Sequence, residues 1–171
     1  QDSAAAVLVT DKAAWTTLKD RLHDAVNLRH VLLSGPGEVQ KVEGLDVQDL
    51  ETALSAIQKY APPHPTKSSD PAYLVYTSGT TGYPKGVLHA HRALIGRTPA
   101  STYWFDFARE GDRIMHSGKF NWTYVLGSGL MDPLYLGKTV IVHEGKNDSN
   151  TWPRLIRKHS ATIFVGVPTI Y

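Results

Sequence analysis

Residues 72–86 read AYLVYTSGTTGYPKG. The first part, Ala72 to Tyr76, is a short apolar run with the look of a buried strand. The rest packs the hydroxyls of Thr77, Ser78, Thr80 and Thr81, the glycines Gly79, Gly82 and Gly86, one proline and one lysine into a single loop. Glycines let a backbone turn tightly enough to aim successive N–H groups into one concavity. The hydroxyls add neutral donors and Lys85 adds a fixed positive charge. Such a loop is a cradle for a polyphosphate.

The commonest phosphate loop, G-x-x-x-x-G-K-[ST], does not fit, because Gly82 is followed by Tyr83 and Lys85 by Gly86. The dinucleotide fingerprint G-x-G-x-x-G fails on glycine spacing. Residues 76–86 instead resemble, without a departure, the [ST]-SG-[ST]-TG-x-PKG loop of the adenylate-forming enzymes. These include acyl-CoA synthetases, adenylation domains of peptide synthetases and beetle luciferases. The resemblance implies that Thr77, Ser78, Gly79, Thr80, Thr81, Gly82 and Lys85 hold the β- and γ-phosphates of ATP, with Lys85 as the catalytic cation.

Composition is that of a globular protein: 171 residues, 42% hydrophobic and 20% charged, with a net charge of +2. This length suits one well-buried domain and falls short of two typical ones. The basic residues are scattered, apart from Arg154, Arg157, Lys158 and His159, which a solvated helix face explains. Nothing marks a nucleic-acid surface. No cysteine is present, which removes disulfides, thiolate nucleophiles and Cys-based zinc sites. No apolar run approaches a membrane span. The start, QDSAAAVLVTD, has no basic segment leading into a long apolar core, and it reads as cut from something larger.

Short apolar runs alternate with amphipathic stretches along the whole chain. Strands are expected at 6–10, 30–34, 72–77, 113–117, 139–143 and 162–167. Helices are expected at 12–26, with Asp11 as cap and Trp15, Leu18, Leu22 and Val26 on one face, and at 47–60, with Leu50, Leu54 and Ile57. Another is expected at 152–159, with Thr151 as cap and Pro153 in its first turn. Two less regular helices, at 91–104 and 122–136, should bend or break at Pro99 and Pro133. This rhythm predicts an α/β fold, a mostly parallel sheet with helices on both faces. The stretch 61–71, APPHPTKSSDP, is the one linker-like segment. Because both flanks keep the same rhythm, it is expected to be a long exposed loop inside one layer.

The resemblance extends along most of the chain, through Gly86–Ala93, Gly111–Arg113, Gly118–Trp122, Leu126–Gly137, Thr139–Gly145 and Ala161–Tyr171. It is nearest to short- and medium-chain or aromatic acid:CoA ligases. It implies a cytoplasmic enzyme that takes a carboxylic acid, ATP with Mg2+, and coenzyme A. In such enzymes positioning and charge neutralisation dominate, which suits the residue types of the loop. Gly79 and Gly82 would let it close over the triphosphate, and Pro84 would limit its swing. Trp122, with Phe120 and Asn121, resembles the aromatic segment bordering the acyl pocket, although a tryptophan at a helix start serves equally well in a core. Gly127 and Gly129 leave room for an acyl group or, more commonly, for another helix. His89 and His91 lack a third ligand for zinc. His91 is expected to begin a helix and His89 to pack behind the loop.

Other parts of that family's apparatus have no counterpart here. There is no Y-G-x-T-E-like segment for magnesium, no R-T-G-D-like segment for the ribose, and no C-terminal lysine-bearing domain. The chain is therefore expected to be a partial adenylation domain without turnover of its own, with exposed apolar faces that favour oligomers. The alternative parent, a peptide-synthetase domain, would favour an aspartate where Asn121 stands, as counter-charge to an ammonium.

Overall fold

Two strand-ending aspartates set the pattern of the N-terminal region. Asp11 is extended, and its carboxylate accepts from the Ala14 N–H at 2.7 Å, so strand β1 (Val7–Asp11) passes directly into helix α1 (Lys12–Leu18). Asp49 repeats the device between β3 (Asp46–Asp49) and α2 (Leu50–Ser55), accepting from Thr52 N–H at 2.9 Å. Lys12 reaches Asp49 at 2.7 Å. The computed structural model describes residues 3–22, 24–78 and 82–170.

The chain divides into two compact units, Gln1–Pro65 and Thr66–Tyr171. The boundary falls inside the proline-rich stretch 61–71. That stretch is exposed as far as Ser69 and turns at Lys67–Asp70, where Asp70 N–H donates to Lys67 O at 3.0 Å.

In the first unit β1, β2 (His30–Ser34) and β3 form a parallel sheet in that order, with Val9 opposite Leu32 and Val31 opposite Val47. Trp15, Val31, Leu33 and Val47 are fully buried together, and the Trp15 indole N–H donates to Gln40 O at 2.8 Å. The helix expected over 12–26 is shorter. It ends at Leu18 and continues only as a 3-10 turn, Lys19–Arg21. The chain must turn back there, because Leu28 joins the core and Arg29 N–H bonds to Ala6 O at 2.9 Å. Val26 is consequently exposed. The helix expected over 47–60 begins only after the Asp49 cap, since Val47 is taken by the sheet. Leu54 and Ile57 face solvent.

The second unit opens with an antiparallel pair, β4 (Pro71–Thr77) and β5 (Lys85–Ala90). Strand β5 is not among the strands expected from the sequence. Pro71 stands at a strand start, where its missing N–H costs no ladder bond. Next come α3 (Arg92–Gly96) and α4 (Thr98–Tyr103), broken at Arg97 with Pro99 in the first turn of α4. The second sheet of this unit has the parallel order β7-β6-β8, from β6 (Arg113–His116), β7 (Thr139–Ile141) and β8 (Ile163–Val165). Helices cover both of its faces. Ile114 packs with Tyr124 and Leu136 on one side, and Met115 packs with Trp152 and Leu155 on the other.

Helix α5 (Thr123–Leu126) runs through a π-helical segment, Gly127–Met131, into α6 (Asp132–Tyr135). Instead of breaking at Pro133, the helix widens just ahead of it. A proline clashes with the carbonyl four residues back, and a wider turn relieves that clash. Helix α7 (Thr151–His159) carries Arg157, Lys158 and His159 in its last turn, where they complement the helix dipole, and Ser160 closes it at φ +51. Thr151 is the first helical residue and not the cap. Its hydroxyl donates to Asp148 Oδ1 at 2.8 Å and accepts from Asp148 N–H at 2.9 Å.

Candidate active site: a phosphate loop on an exposed hairpin

Strands β4 and β5 pair outward as far as Thr77 opposite Lys85, so the loop is the tip of this hairpin and Lys85 stands at its base. Thr77, Ser78, Gly82 and Lys85 are all exposed. Gly79, Thr80 and Thr81 lie outside the described residues. The two described loop glycines serve different needs. Gly82 has φ +89 with open space around it, a backbone angle that side chains rarely adopt. At Gly86 a Cβ would stand 3.2 Å from Leu74 Cδ1 and 3.4 Å from Tyr76 Cε1, so the small residue lets side chains of β4 lie across β5.

Behind the tip, Tyr73 and His89 are direct cross-strand partners, and their rings stack at 4.5 Å and 9°. This occupies His89 as packing. His91 stands at the start of α3, as expected.

Trp122 is 49% exposed and Asn121 is exposed, so Trp122 is no core filler. Its ring lies 5.4 Å from that of Tyr124, a residue the sequence reading did not single out. Tyr124 also lies 5.5 Å from the His116 ring and 6.2 Å from that of Trp104, which puts it amid an aromatic cluster. Gly127 and Gly129 each lie against a side chain from elsewhere in this unit. A Cβ on Gly127 would collide with the Arg97 guanidinium, and one on Gly129 would meet His116 Cβ at 3.1 Å. Each glycine admits a single side chain.

Arg97 grips Asp132 with two bonds, Nε to Oδ1 at 2.7 Å and Nη2 to Oδ2 at 2.8 Å. The Asp132 side chain is 1% exposed. Its hydrogen bond raises the Arg97 pKa beyond the ordinary value. A paired charge can be buried where a lone one cannot, so this bidentate contact holds the π segment against the break between α3 and α4.

At the carboxyl ends of β6 and β7 lies a cleft of about 490 Å3, lined among others by His116, Ser117, Lys119, Phe120, His143 and Trp152. His116 is 8% exposed, and burial pushes its imidazole below its usual pKa. Reading the sequence missed this cleft, because its walls meet only once β6 and β7 pair. Among the described residues no group of His, Asp and Glu is arranged to hold a metal ion.

The model for the AMP-binding enzyme family matches residues 1–171. The chain belongs to that family. Benzoate–CoA ligase of Thauera aromatica is 32% identical over 99% of this chain and 31% of that enzyme. Acetyl-coenzyme A synthetase 2 of Candida albicans is 37% identical over 77% of this chain and 20% of that enzyme. The solved acyl-CoA synthetase of Brucella canis superposes with a TM-score of 0.80 at 28% identity, covering 98% of this chain and 29% of that one. The chain thus spans less than a third of the length of these AMP-binding relatives. Among the described residues no helix is long and apolar enough to cross a membrane.

Proposed function

We propose that this chain is the triphosphate-gripping part of an ATP-dependent acid:CoA ligase. The observation that supports this reading is the hairpin end, where Thr77 pairs with Lys85 and Thr77, Ser78, Gly82 and Lys85 are all exposed. In the first half-reaction a carboxylate oxygen attacks the α-phosphorus of ATP, the bond to the bridging oxygen breaks, and pyrophosphate leaves with its electrons. N–H groups and hydroxyls from Thr77 to Thr81, with Gly82, would receive the departing oxygens while Lys85 offsets their charge. In the second, the thiol of coenzyme A attacks the acyl carbon, loses its proton, and AMP departs.

The donor set suits polyphosphate and not a metal. No magnesium ligand is assigned to this chain, and Mg2+ would arrive bound to the triphosphate. Trp122 and Asn121 would border the path of the acid, which the half-exposure of Trp122 supports. The named ligases among the relatives favour a CoA ligase over a peptide-synthetase domain, and Asn121 in place of an aspartate agrees. Cytoplasmic location and self-association through exposed apolar side chains such as Leu88 and Trp104 belong to the same proposal. Light scattering that stays monomeric over a wide concentration range would overturn the latter.

The direct test is carboxylate-dependent ATP–pyrophosphate exchange by the full-length parent, over short, medium, aromatic and amino acids. Exchange with one class of acid is the expected result. Silence across the panel with ATP binding intact would refute it. The 171 residues alone are expected to bind without turnover, and acid-dependent AMP formation by them would disprove that.

A further inference from the structure

The phosphate chemistry leaves one marked stretch of sequence unused, the run Lys59-Tyr60-Ala61-Pro62-Pro63-His64-Pro65. It follows α2 within the first unit, and every residue from 54 to 65 is exposed, Tyr60 at 94%. Among the described residues, none from 58 to 65 makes a backbone hydrogen bond. A proline fixes its own φ and supplies no N–H, and the residue before a proline is pushed to extended angles. Each of residues 61–65 is a proline or precedes one. The sequence therefore confines all of them to extended or polyproline II backbone, with no help from a neighbouring element.

A polyproline II helix has about three residues per turn and rises about 9 Å over each turn. Pro62 and Pro65 then stand on one ridge, and Ala61 and His64 on the ridge beside it. Lys59 lies three residues ahead of Pro62. The chain bends at Lys59, so its long stem and not the rod carries the ammonium. Lys59 forms no ion pair among the described residues. Stiffness alone needs only prolines. Prolines one turn apart on an exposed, unbonded rod, with an unpaired cation ahead of them, make a pattern that a groove can read. Such a groove has slots between aromatic rings one turn apart and a carboxylate beyond the first slot.

We infer that residues 59–65 are a docking peptide for a protein module whose aromatic-lined groove reads polyproline II helices and carries an acidic end for Lys59. Pro62 and Pro65 enter the slots, and the free backbone carbonyls of the run accept from donors along the groove. The rod is already formed, so little entropy is lost on docking. So short a segment buries less than the about 1,200 Å2 of a stable complex, which suits a partner that binds and leaves readily. The inference is independent of the ligase reading, for it involves neither the 76–86 loop nor the cleft beside β6.

The test uses the whole 171-residue chain, labelled with nitrogen-15, and one probe, an SH3 domain that selects a cation three residues ahead of P-x-x-P. Amide resonances of Lys59, Tyr60, Ala61 and His64 are followed as the domain is added. Saturable shifts there are expected, with the resonances of Trp15 and Val31 in the first core unmoved. Pro62→Ala and Pro65→Ala should each weaken binding about tenfold. Lys59→Ala should weaken it about threefold and flatten its salt dependence. These side chains lie outside the buried cluster of the first unit, so the variants should keep the wild-type Tm. Absence of saturable shifts at about 1 mM probe would overturn the inference and leave the run a stiff spacer. An affinity unmoved by the proline substitutions, or by Lys59→Ala, would overturn it equally, because the probe would then be held elsewhere on the chain.

Discussion

The first unit and the β4–β5 hairpin divide the work of the molecule very unequally. In the first unit Trp15, Val31, Leu33 and Val47 have no exposed surface at all. On the hairpin Leu74, Tyr76, Val87 and Leu88 are all classed as exposed, Leu88 at 62%. A two-stranded ribbon of this kind has little stability of its own. The phosphate-binding chemistry proposed for this chain would therefore sit on the less tightly packed of these two elements. Segments that must open and close around a ligand come from the low-stability end of a structure.

The largest effect expected on that contrast is at Trp15. Trp15→Ala empties the centre of the first core and strands Gln40 O, for a loss of about 3–5 kcal/mol in urea unfolding. A loss below about 1 kcal/mol would remove the contrast altogether. Next is Lys85→Ala, expected to slow pyrophosphate exchange in the full-length enzyme by about 10²–10³ without moving its Tm. A fall in Tm alone would make Lys85 structural. Arg97→Ala leaves the Asp132 carboxylate buried and unpaired. Because Arg97 is itself partly exposed, about 2–3 kcal/mol is expected, read by thermal melting.

Acid should reach the two regions differently. Hydrogen bonds from Lys12 and then from the backbone and hydroxyl of Thr52 lower the Asp49 pKa from 3.8 to about 2. A depressed carboxylate contributes stability that is complete above its unfolded pKa and is lost as pH falls through the folded one. The first unit should therefore weaken between about pH 4 and pH 2, and Asp49→Asn should flatten that part of the acid titration. An unchanged titration in the variant would separate Asp49 from the effect. The smallest change is expected at Leu88→Ser, within about 0.5 kcal/mol of wild type. A larger loss would mean that the hairpin depends on this face after all.

What could be read from the chain follows from how local each signal is. The family is legible because the glycines, proline and lysine of the 76–86 loop stand within a few residues of one another. Runs such as VLVTD and HVLLS announce β1 and β2 for the same reason. Strand β3 has only Val47 as an apolar residue, so helical periodicity claimed it, although Asp49 ahead of Leu50 was a legible cap. Val26 and Ile57 fitted the helical period and nevertheless lie on the surface, because α1 and α2 end before reaching them, at Leu18 and Ser55. His116, Ser117 and His143 are separated along the chain and meet only through β6–β7 pairing, so no spacing rule could join them.

The contact between Gly127 and Arg97 also constrains how this protein can change over generations. A methyl group at 127 has no place while the guanidinium lies there, and losing Arg97 is costly while the Asp132 carboxyl stays buried. Drift through these three positions is therefore least costly in one order. Neutralising Asp132 comes first, shortening Arg97 second, and only then can position 127 acquire a side chain. Lineages that began elsewhere along that order would find one another's substitutions deleterious.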